Sequence, residues 1–129
     1  MSARTVLLLV AAAFGGFGCT DVPMRHVDPP QMRLSSDIPR LITIAAAENL
    51  PHSGKIPDKR LWRYIGSVPE GAVYRPVNTT FMVEAKHAHE AYLVLKDTQL
   101  VAYYLPAEGT ISVLEAPAQL NVTSLKGEQ

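Results

Sequence analysis

A single cysteine in 129 residues removes two options at once, because no internal disulfide can form and no cysteine-rich zinc site can assemble. The fold has to rest on packing and hydrogen bonds. An excess of charge of one sign is also missing: twelve Lys and Arg balance twelve Asp and Glu, so the chain lacks the electrostatic footprint expected of a nucleic-acid binder. The apolar run Val6 to Phe14 falls well short of the roughly 20 residues that a membrane-crossing helix needs. There is no G-x-S-x-G elbow, no glycine-rich phosphate loop and no thiol beyond Cys19, so no nucleophile constellation presents itself. The expectation is a protein that is not an enzyme. A chain of this length accommodates one small domain and a tail.

What is present begins at the N-terminus. Met1 to Thr5 carries one positive charge at Arg4, Val6 to Phe14 is unbroken apolar, and small residues follow at Gly15, Gly16 and Gly18. That is the layout of an export signal. The competing reading, a buried core helix, would have to tolerate three glycines at its end, at about 1 kcal/mol each relative to alanine.

The stretch Gly16-Phe17-Gly18-Cys19 resembles the lipobox that closes bacterial lipoprotein signal peptides. The resemblance covers the first twenty or so residues. It implies that residues 1–18 are removed, that a diacylglyceryl group is added to the Cys19 sulfur and that the new amino terminus is acylated. The covalent lipid is then the only attached group, with no cofactor besides. An exposed free thiol in an oxidising compartment would be a liability, and its use as a lipid anchor explains why one is kept. Two or three acyl chains hold a soluble domain at a membrane without a spanning helix. Thr20 stands where lipoproteins retained at the inner membrane often carry Asp, so the resemblance implies an outer-membrane location facing the periplasm.

Residues 19–36 contain Pro23, Pro29 and Pro30 and no clear period, which reads as a semi-rigid, lipid-anchored tether reaching several tens of Å. Residues 37–129 read as one small, mostly β domain. Its start, with Ser36 and Asp37 as N-cap candidates, Pro39 in a first turn and Ile38, Leu41, Ile42 and Ala45 on one face, predicts a short helix ended by Pro51. A strand through Leu41 to Ala45 competes, because Ile42 and Ile44 are β-branched. After residue 59 period two takes over. Seven short runs rich in Val, Ile, Tyr, Phe, Thr and Trp follow, separated by turn residues such as Pro69 to Gly71 and Pro106 to Gly109. The expected fold is mainly β (α+β), one short N-terminal helix followed by a small antiparallel sheet, as a sandwich or partly open barrel.

The clearest element is Tyr92 to Leu105, a hairpin turning at Asp97 and Thr98. A regular register pairs Leu95 with Leu100 and Leu93 with Ala102 on one face, and Val94 with Val101 and Tyr92 with Tyr103 on the other. Both faces are apolar, so either both are covered or one receives a partner.

Three sets of residues carry candidate chemistry. His87 and His89 point to the same side of a strand, as a metal pair would, although a catalytic zinc site takes three protein ligands; the alternative is a polar strand end. Lys55, Lys59, Arg60 and Arg63 surround Trp62 and Tyr64, a grouping that suits an anionic polymer, a lipid headgroup or an acidic partner, or is simply solvated. Tyr92 and Tyr103 form the third, as a docking face. Together these features imply an envelope lipoprotein that acts as a non-catalytic accessory, binding a partner protein of the envelope or of a larger secretion or conjugation assembly. The alternatives are metal binding through His87 and His89, and recognition of a cell-wall polymer around Trp62 and Arg63.

Overall fold

The structure, a computed structural model, describes residues 24–26, 31–84 and 86–125. Among the described residues twelve strands form in chain order: β1 (Met24–His26), β2 (Leu41–Ile44), β3 (Ala47–Leu50), β4 (Gly54–Ile56), β5 (Arg60–Val68), β6 (Gly71–Pro76), β7 (Met82–Glu84), β8 (Ala88–Glu90), β9 (Tyr92–Lys96), β10 (Gln99–Leu105), β11 (Thr110–Gln119) and β12 (Val122–Ser124). Eight build one antiparallel sheet in the order β1-β11-β10-β9-β6-β5-β2-β12, and two small hairpins, β3-β4 and β7-β8, stand apart from it.

Connectivity forces this sheet to curl. β11 and β12 sit six strand positions apart, about 29 Å on a flat sheet, yet only Leu120 and Asn121 lie between them in the chain. The three steps from Gln119 to Val122 reach at most about 11 Å. The far edges must therefore approach each other: the Leu120 amide still donates to the Thr98 carbonyl beside β11 at 3.0 Å, and the carbonyl of the next residue, Asn121, accepts from the Ala45 amide just beyond β2 at 3.1 Å. The sheet stays open, because β12 pairs with β2 alone.

Alternation sorts the side chains between the two faces. Inside the curl, Ile42, Ile44, Trp62, Tyr74, Leu93, Leu95, Leu100 and Tyr103 join one cluster, closed by Leu50, Ile56, Phe81 and Val83 from the two hairpins. The other face gathers Val73, Val94, Ala102, Tyr104 and Ile111, with Met32, Tyr92, Val101 and Val113 half-buried around them.

The expected N-terminal helix is absent, and the competing strand forms instead. Leu41 to Ile44 is β2, with Ile42 and Ile44 inward and Leu41 and Thr43 half-exposed. Helical periodicity in this stretch was weak, and ladders to β5 and β12 on either side supply what an isolated helix lacked. Asn49, His52 and Ser53 adopt positive φ around the short 3-10 turn Pro51–Ser53, which breaks any helical run at this point.

Within the stretch expected to be a tether, β1 pairs with β11 through Met24↔Ser112 and His26↔Thr110. Farther on, Arg33 and Ser67 exchange backbone hydrogen bonds of 3.0 and 2.6 Å. Met32 packs on the second face, against Gly66, where a bulge and a φ of 149° require glycine and leave room for the methionine. Residues 24–26 and 31–33 thus belong to the sheet's surroundings. Cys19 and the signal segment lie outside the described residues.

Candidate functional site

The residues singled out from sequence end up in three separate places. A bulge in β10 decides the first of them. Leu100 pairs with Leu95 as expected, but the register then slips so that Ala102 faces Val94, Tyr103 faces Leu93 and Tyr104 faces Tyr92. Val101 is the extra residue, and it shares the second face with Ala102. Tyr92 and Tyr103 therefore lie on opposite faces and form no common docking surface. Tyr92 packs against Tyr104 with its ring tilted, centroids 5.9 Å apart, whereas Tyr103 is 1% exposed inside the curl, next to Phe81 and His52, and its hydroxyl donates to the Pro51 carbonyl at 2.8 Å.

Tyr74 does the matching job at the other end of the curl, donating to the Pro39 carbonyl at 2.7 Å. Burial, with a smaller contribution from Tyr64, pushes its phenol from 10.0 up to about 12, and burial alone pushes Tyr103 still higher. Both phenols stay neutral in the folded protein at pH values where the unfolded chain has begun to lose those protons. The stability they provide is complete below pH 10 and is lost as pH rises toward 12. Urea midpoints are expected to hold steady from pH 7 to 9 and to fall between pH 10 and 11.5. Tyr74→Phe should flatten part of that fall, and an unchanged slope in this variant would remove Tyr74 as a source.

The second place is β8. His89 Nδ1 lies 2.9 Å from Glu108 Oε2, linking the β7-β8 hairpin to the turn between β10 and β11, and the His87 ring lies 6.4 Å from that of His89. The pair expected from sequence is thus brought together, with a carboxylate that period-two reasoning did not find. Among the described residues no three His, Cys, Asp or Glu side chains converge on one point.

The third place divides the basic and aromatic cluster. Arg63 is exposed and faces Arg75 across the β5-β6 ladder, while Trp62 points the other way into the core, 1% exposed and edge-on to Phe81 at 5.7 Å. Trp62 and Arg63 therefore do not share a binding surface. What Trp62 does share is a narrow cleft with Lys55, Arg60, Thr79 and Thr80, floored by Ile56, Pro76 and Phe81. Arg60 is fixed at its edge by Asp58 at 2.7 Å and by Thr79 Oγ1 at 2.9 Å. The indole N–H of Trp62 is buried and has no acceptor among the described residues.

A wider groove of about 590 Å³ opens at the mouth of the curl. Ile38, Ile42, Ala72 and Leu95 line it, and Asp37 and Lys96 lie among its polar residues. Sequence reading missed it, because it exists only once the β5-β6 and β9-β10 turns and the end of β12 meet at one end of the sheet.

Comparison with protein-family models, with curated proteins and with solved structures finds no match for this chain.

Proposed function

We propose that this chain is a lipid-anchored accessory protein of the bacterial cell envelope, held by acyl chains on Cys19, that works by docking a partner protein rather than by catalysis. One observation supports this reading more than any other: an export-signal layout ends at a lone cysteine, and the first strand of the folded sheet begins five residues later, at Met24. Five residues reach at most about 17 Å. An anchor at Cys19 would hold the β1-β11 edge close to the bilayer, and this short leash replaces the long tether expected from the prolines. Confinement of that kind raises the effective concentration of any partner on the same membrane, so that weak docking suffices. An outer-membrane, periplasm-facing location and membership of a larger secretion or conjugation assembly belong to the same proposal. In a host fractionation, the wild-type chain is expected in the membrane pellet and Cys19→Ser in the soluble envelope fraction; equal distribution of the two would sink the anchor.

A second reading, metal binding, rests on the proximity of His87 and His89 and on Glu108, which can orient the His89 ring as carboxylates do for metal-bound histidines. It requires stoichiometric zinc or copper uptake that disappears in the double variant His87→Ala, His89→Ala.

A further inference from the structure

We infer that the exposed pair Arg63 and Arg75 is a membrane-contact site that takes the phosphate-bearing headgroups of anionic lipids. This rests on the anchor reading above and adds which face of the sheet turns toward the bilayer.

Three observations lead there. The first is an uncompensated pair of like charges. Arg63 and Arg75 stand directly opposite each other on β5 and β6, an arrangement that costs stability. Both are exposed, and neither has a hydrogen-bond or ion-pair partner among the described residues. Each guanidinium offers a planar fork of donors that matches phosphate oxygens.

The second is the company they keep. Strand register extends the pair into a row across the second face. Leu41 pairs with Arg63, the Leu125 amide donates to the Leu41 carbonyl at 3.1 Å, and the Tyr74↔Leu93 pairing brings Arg75 next to Tyr92. Leu41, Leu125 and Tyr92 are half-buried, and the row contains no Asp or Glu. Cations flanked by leucines and a tyrosine suit the boundary between headgroups and acyl chains, whereas a free anion would make no use of the apolar flanks.

The third is place. The row runs on through Tyr92↔Tyr104 and Tyr104↔Ile111 to Arg25 of β1, next to Met24, where the chain from Cys19 enters the sheet. β6 lies four strand positions from β1, about 19 Å along the sheet, and the five residues from Cys19 to Met24 reach about 17 Å. The anchored chain thus enters the sheet level with the arginine pair, and one lipid surface can meet both.

Vesicle flotation tests this with the full chain carrying Cys19→Ser, so that no acyl chain holds it. The probes are vesicles of phosphatidylcholine alone and of an equal mixture with phosphatidylglycerol. Arg63→Gln or Arg75→Gln should weaken partition into the mixed vesicles about fivefold, and the double variant about 25-fold. The leader is common to every variant, so these ratios isolate the pair. Lys55→Gln with Lys86→Gln removes the same charge from exposed positions on the two hairpins and should leave partition nearly unchanged. Undiminished partition of the double arginine variant overturns the proposal and leaves the pair to an acidic partner protein. An equal loss from the lysine and arginine double variants overturns it by reducing the effect to net charge. Release from the mixed vesicles by inorganic phosphate at constant ionic strength would make this a free-phosphate site instead. None of these failures touches the Cys19 anchor, which fractionation tests separately.

Discussion

Trp62→Ala is expected to destabilise the protein by about 3–5 kcal/mol, the usual cost of removing a buried aromatic side chain. The indole is 1% exposed, is flanked on the sheet by Ile42 and Pro76, and meets Phe81 edge-on at 5.7 Å. It sits where the curled sheet contacts the two hairpins, so its loss opens a cavity that no single segment can collapse to fill. Domains of this size have roughly 5–15 kcal/mol to lose, and the variant should sit near its unfolding midpoint under mild conditions. Trp62→Phe should lose far less, since it keeps a ring and removes an unpaired N–H whose burial costs about 1–3 kcal/mol. Urea titration followed by far-ultraviolet circular dichroism checks both variants. A loss below about 1 kcal/mol for alanine would contradict this position for the indole, given the ordinary range for such truncations.

The next largest effect is expected at Gly71. A side chain there would run into the backbone carbonyl of Leu95 on β9, and that backbone is held in the β6-β9 ladder by Ala72↔Leu95 and Val73↔Val94. In an open site, Gly→Ala would stabilise by about 0.4–1 kcal/mol through the unfolded chain. Here the obstacle is main chain, so the sign reverses. Gly71→Ala should cost about 3 kcal/mol, at the upper end of ordinary overpacking, and should lower the denaturation midpoint without changing the slope. Unchanged or raised stability would mean that β9 can yield at Leu95.

Much of the sheet was legible because period two and turn chemistry agreed. β5, β6, β9, β10, β11 and β12 fall on the runs expected of them, and the hairpin turns at Asp97, whose φ of 59° suits a tight turn. Two features were not legible, for different reasons. The β10 bulge is a single extra residue, Val101, in a run where every residue is apolar, so a slip of one position leaves the pattern equally acceptable from the sequence. It nevertheless sets Tyr103 opposite Leu93 and Tyr104, not Tyr103, opposite Tyr92. β1 is a three-residue strand of Met, Arg and His between prolines, and only the free edge of β11 makes it a strand.

The candidate site was half legible for a similar reason. Sequence reading grouped Lys55, Arg60, Trp62 and Arg63 by proximity along the chain. Alternation then keeps Lys55, Arg60 and Trp62 together and turns Arg63 away. Thr79 and Thr80 come from the segment after β6, and no spacing rule connects them to β5. Glu108 reaches His89 across 19 residues, again through the tertiary fold alone.

The anchor at Cys19 is the claim on which the functional account depends, and intact mass spectrometry of the protein recovered from its host membranes tests it most directly. The account predicts a chain that begins at Cys19 and is heavier than its polypeptide by a diacylglyceryl group and an acyl chain. A Cys19→Ser variant should carry no lipid. An unmodified mass with a free thiol at Cys19, with or without the first 18 residues, would contradict it.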